Sequence, residues 1–148
     1  KVPGQTRTSV ESDPTLCQFS MPYGVAAALM YGKVGLEQMI GAVTRDKNIH
    51  DLAMKVEVVH DHEMDKLRPN NRPAKVIITF NDGRKVSSHV DFPKGDLRKP
   101  MTEDELLTKF MDLAVGVIGK DRANIIHDKV FELENLASIR ELINHLNY

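Results

Sequence analysis

Tryptophan is absent from these 148 residues, aromatics make up only 5%, and the single cysteine, Cys17, has no partner for a disulfide. Stability must then come from packing, an oxidising compartment is neither required nor suggested, and a reducing, cytoplasmic setting is the expectation. Charge of one sign is lacking too: twenty Lys+Arg against twenty-one Asp+Glu leave a formal net charge of -1. That is too weak a field to hold a polyanion or an anionic bilayer, so neither nucleic acid nor a membrane is an expected partner. No apolar run approaches the roughly 20 residues of a membrane-spanning helix, and the polar stretch from Lys1 to Asp13 is not signal-like. What is present, 41% hydrophobic and 28% charged residues, suits one soluble domain spanning 1–148 around one core, small for an enzyme that must wrap a polar substrate. The chain begins at Lys1 rather than Met, which reads as a truncated, processed or excised piece.

Residues 1–13, with Pro3 and Gly4 among Thr, Ser and charges, read as an irregular lead-in. Ser20 then caps a short helix with Pro22 in its first turn, running through Ala26, Ala27 and Ala28 to Gly32. Its small side chains favour close backbone contact over volume filling. Gly35 to Thr44 and Asp46 to Met54 predict two further amphipathic helices. The period switches to two over Val56 to His62 and Ala74 to Phe80, and Asn81-Asp82-Gly83-Arg84 signals a hairpin into Lys85 to Phe92. In that last strand Val86, Ser88, Val90 and Phe92 share a face that helices are expected to cover. Thr102 with Glu105 forms a capping box opening a helix to Ile118, Asp121 is set to cap the next helix, and Ser138 with Glu141 boxes the last. Helices, then a small antiparallel sheet with a hairpin, then three C-terminal helices make an α+β fold.

His60-Asp61-His62, with His50 upstream, is the nearest approach to a metal cluster, since alternate strand residues aim both imidazoles to one side. No third ligand stands at a completing spacing, so no metal and no cofactor are expected. His89, His127 and His145 carry no assigned chemistry, Cys17 reads as a small packed residue, and no glycine-rich phosphate loop is present. Two places are chemically distinctive. The loop Asp91 to Pro100 gathers Lys94, Arg98 and Lys99, cations able to hold carboxylates where water is partly excluded, against the commoner reading of a solvated connection. Ser20 and Tyr23 stand at a helix start, where unpaired N–H groups attract anions; Tyr23 equally suits a core residue whose phenol reaches the surface.

The order of these segments carries a resemblance. Phe19-Ser20-Met21-Pro22-Tyr23-x-x-Ala26-x-Ala28-Leu29-x-x-Gly32, then Asp82-Gly83-Arg84, then Asp91-x-Pro93-Lys94-Gly95-Asp96 with Pro100, then Glu103 to Phe110, resembles the smaller domain of MmgE/PrpD proteins over about residues 14 to 143. The resemblance implies the α+β lid domain of a lyase, a dehydratase or decarboxylase acting on a small tri- or dicarboxylate such as 2-methylcitrate or cis-aconitate; iminodisuccinate epimerase is a further family activity. It implies a catalytic, substrate-orienting role for Tyr23, with Ser20 beside it and Lys94, Arg98 and Lys99 as substrate-binding groups. It also implies a large helical domain as partner and a homodimeric whole enzyme. Nothing here resembles that helical domain's acid–base residues, so the chain alone is expected to be inactive. The competing reading is a stand-alone, non-catalytic binding or interaction module with the same fold. An upstream reading frame of some 250 residues, enough for a second domain, would favour the enzyme.

Overall fold

The structure is a computed structural model that describes residues 6–146, and it confirms the α+β class. Of the lead-in expected over 1–13, residues 1–5 lie outside the described residues, and 6–13 form neither helix nor strand. Two compact units divide the chain, one up to Lys66 and one from Leu67. No described helix is long and apolar enough to cross a membrane.

The first unit opens with α1 (Pro14–Gln18), where the Asp13 carboxylate accepts the Thr15 N–H at 2.7 Å. In α2 (Met21–Tyr31), Ser20 is the N-cap, Pro22 lies in the first turn, and Gly32 ends the helix at φ 70. That left-handed conformation strains any residue with a Cβ, which is why a glycine stands there. Ala26 and Ala27 are wholly buried, letting α2 approach α4 (Lys47–Ala53) closely. Cys17, Tyr23, Ile49 and Ala53 complete this core, with Met39, Val43 and Leu52 packed around it. Burying one Ile or Leu side chain contributes about 1.5–3 kcal/mol, so a core this small depends on every member.

The helix expected over Gly35 to Thr44 is split. Leu36–Met39 forms α3, Ile40 is extended, and Gly41 at φ 69 restarts the chain as a 3-10 turn over Gly41–Arg45. The strand expected over Val56 to His62 does not form. The Asp61 carboxylate accepts the N–H groups of Glu63 and Met64 at 3.0 and 3.4 Å, capping a one-turn helix, α5 (His62–Asp65), and 56–61 pair with no strand among the described residues. Extended backbone needs a ladder partner, and a local cap wins where none is offered.

The second unit contains β1 (Ala74–Thr79) and β2 (Lys85–Val90), antiparallel with Ala74 opposite Val90 and Thr79 opposite Lys85. The expected turn joins them: Phe80 N–H donates to the Arg84 carbonyl at 2.8 Å, and Gly83 sits at φ 86. The face expected to be covered is open instead, Val86 being 49% and Val90 36% exposed. Three helices follow, α6 (Glu103–Ile118), α7 (Lys120–Phe131) and α8 (Arg140–Leu146), with α7 packed on both others. Asp121 does not cap α7. Gly119 holds the cap position and Asp121 lies in the first turn, where its charge still suits the helix dipole.

The box opening α6 is as expected: Thr102 Oγ1 accepts the Glu105 N–H at 3.2 Å, and Glu105 Oε2 accepts the Thr102 N–H at 2.8 Å. Thr102→Ala should therefore cost about 0.5–2 kcal/mol. Faster amide exchange over 103–106, with the rest of α6 unchanged, is the signature to measure.

Candidate functional site

The start of α2 belongs to the first unit and the loop 91–100 to the second. At the former, Ser20 is 4% exposed and fully engaged. Its hydroxyl donates to the Thr6 carbonyl at 2.5 Å and accepts the Tyr23 N–H at 3.2 Å. Tyr23 has no exposed surface, and its hydroxyl donates to the Gln38 carbonyl at 2.6 Å, tying α2 to α3. Burial pushes the phenol up to about 12, with Cys17, Tyr31 and Asp46 adding to it. It is a proton donor at neutral pH, and its proton is committed to backbone. Burial likewise raises the Cys17 thiol, which keeps it from acting as a thiolate.

The loop is tightly organised. Gly95 at φ 91 donates its N–H to the Lys99 carbonyl at 2.8 Å. Arg98 forks onto Asp96, Nε to Oδ1 at 2.8 Å and Nη2 to Oδ2 at 2.9 Å, while Nη1 donates to the Asn70 carbonyl. Its guanidinium lies 3.8 Å from the centre of the Phe92 ring. Lys94 Nζ pairs with Glu105 Oε2 at 2.6 Å, and that bond, with the Thr102 N–H, holds the Glu105 carboxyl below its usual range. Lys99 is exposed, and no ion pair involving it occurs among the described residues. The sequence identified three cations but not the two anions that neutralise Lys94 and Arg98. Asp96, two residues before Arg98, and Glu105, already visible as a cap, were the available signals.

Hydrogen bonds from Arg98 hold the Asp96 carboxyl down at about 2. A carboxylate depressed on folding contributes in full above its ordinary value near 3.8 and loses that contribution as pH falls through about 2. A carbon-detected titration of Asp96 should show its midpoint near 2, with the amides of 95–99 moving alongside. An unshifted midpoint would mean the fork does not persist in solution.

An apolar groove between α6 and α7, lined by Leu107, Phe110, Ile126 and Phe131 among others, has His127 as its one polar side chain. Such a wall does not recognise a polycarboxylate.

The family model described as the MmgE/PrpD C-terminal domain matches residues 6–133. A cis-aconitate decarboxylase-like protein of Aspergillus oryzae is 35% identical over 127 residues, 85% of this chain and 26% of that protein. A cis-aconitate decarboxylase of Aspergillus terreus is 35% identical over 99 residues, 67% of this chain and 20% of its own length. The chain thus spans about a quarter or less of the curated relatives it matches.

Proposed function

Because the chain belongs to the MmgE/PrpD family, as its C-terminal domain, we propose that it is the substrate-capping lid of a lyase that decarboxylates or dehydrates a small polycarboxylate, cis-aconitate first and 2-methylcitrate as the related case. The observation that carries this reading is the likeness, across 85% of the chain, to a protein named as cis-aconitate decarboxylase-like. The loop chemistry supports it. Lys99 is the cation with its charge to spare, and Lys94 joins it if a substrate carboxylate displaces Glu105. Arg98, locked to Asp96 and Asn70, shapes the loop. Ser20 and Tyr23 act as positioning residues, since a phenol with no exposed surface reaches a substrate only by leaving Gln38.

The lid does not turn over substrate alone. Moving a proton beside a carboxylate requires a base within hydrogen-bond reach and stabilisation of the charge that develops, in a site closed to water. The His60–Asp65 and His89–Asp91 pairs stand in solvent, and His127 leans on an exposed Asp128. A helical domain supplies the enclosing half in this reading, within a homodimeric enzyme.

The test is a chimaera in which this chain replaces the matching segment of the Aspergillus terreus cis-aconitate decarboxylase. Carbon dioxide release from cis-aconitate is expected, as is a roughly tenfold higher KM in Lys99→Ala, the loss of one charged hydrogen bond. Turnover by the 148-residue chain alone would contradict the capping role. A folded chimaera inert toward tri- and dicarboxylates would favour the stand-alone module.

A further inference from the structure

We propose that His60, His62 and Asp65 form a binding site for a divalent transition-metal ion of the zinc type, on the surface of the first unit. The site arises from the local cap that replaced the expected strand. With the Asp61 carboxylate taken up by the Glu63 and Met64 N–H groups, the chain turns into α5 at once. His62 and Asp65 then stand three residues apart on one helical turn, a spacing that puts both side chains on one side. His60, just ahead of the cap, comes alongside: its ring centre lies 4.4 Å from that of His62 at 79°, and its Nε2 contacts Asp65 Oδ2. One ligand atom from each residue lies within 4.8 Å of the other two.

A tetrahedral zinc with bonds of 2.0–2.2 Å spaces its ligand atoms about 3.3 Å apart, so side-chain rotation alone, by about 1.5 Å at the widest pair, closes the set. His60 and Asp65 have the freedom, at 49% and 48% exposed. Of the neighbouring carboxylates, Asp61 holds the cap through Oδ1 and Glu63 pairs with Lys66 at 2.6 Å. Two imidazoles with one carboxylate select zinc, nickel or copper over calcium or magnesium, whose preferred shells are all oxygen. Three protein ligands leave a fourth position for water or an added group. His89–Asp91 and His127–Asp128 each offer only two ligands, so the chain carries its own comparison sites.

Tag-free 148-residue chain, titrated with zinc chloride against a chromogenic chelator at neutral pH, should bind one equivalent with micromolar affinity. Nitrogen shifts on zinc addition should appear at the His60 and His62 rings and not at His89, His127 or His145. Asp65→Asn, nearly isosteric, and His62→Ala should each weaken binding at least about tenfold, while His89→Ala should not. Circular dichroism establishes that each variant is folded, and if His62→Ala is not, Asp65→Asn decides alone. Absence of saturable zinc binding, or equal affinity in a folded Asp65→Asn, overturns the proposal. Neither outcome bears on the lid reading, which the chimaera tests.

Discussion

Tyr23→Ala should cost the first unit about 3–5 kcal/mol, the range for emptying a large aromatic site, and largely abolish its cooperative unfolding. Among the described residues Tyr23 is the largest side chain with no exposed surface, and it sits among Cys17, Ala26, Ala27 and Ile49, three of them too small to fill the space it leaves. Tyr23→Phe keeps the ring but strands the Gln38 carbonyl, which its hydroxyl satisfies at 2.6 Å; about 1–3 kcal/mol is expected for that orphan. Urea unfolding of the two variants separates ring from hydroxyl. The comparison also separates two roles. A phenol that faces substrate would, as Phe, cost turnover in the chimaera and little stability, whereas a phenol holding α3 costs stability first. A loss under about 1 kcal/mol in Tyr23→Ala would mean that the residue is not packed as described.

What was legible in the sequence was whatever a few adjacent residues decide among themselves. Ser20 with Pro22 and Gly32 frames α2, Thr102 with Glu105 opens α6, and Asn81-Asp82-Gly83 turns the hairpin, each through caps or positive φ that need no distant partner. The resemblance to the MmgE/PrpD smaller domain was legible for the same reason, because it rests on short motifs in order, and the family match over 6–133 bears it out. Val56 to His62 failed because alternation says a segment can be extended but not that another strand lies beside it; the Asp61 cap then decided the outcome. The covered sheet face failed likewise, since the apolar side of β2 identifies a surface that can be buried without naming what buries it. At the loop, three cations could be counted from the sequence. That Asp96 and Glu105 claim two of them is a matter of loop closure around Gly95.

The buried histidine of α4, which the sequence sets only upstream of the His60-Asp61-His62 cluster, is used by the fold to fasten two segments. His50 is 4% exposed with both ring nitrogens engaged. Nε2 meets the Thr44 carbonyl at 2.9 Å, and since a carbonyl only accepts, that nitrogen carries hydrogen. In the neutral ring Nδ1 is then the acceptor for the Thr8 hydroxyl, also at 2.9 Å. One side chain thus fastens the 3-10 turn after α3 and the lead-in onto α4. His50→Leu fills much the same volume and strands both partners, at about 1–3 kcal/mol per buried orphan, so a total loss of about 2–6 kcal/mol is expected in urea unfolding. The lead-in should remain attached in part, because Arg7 donates to the Ala53 carbonyl at 2.8 Å and Arg45 to the Val10 carbonyl at 3.2 Å. Hydrogen exchange should accordingly rise around Thr8 and Thr44 more than within α2. Unchanged protection at those two positions in His50→Leu would show that the ring fills space without fastening either segment.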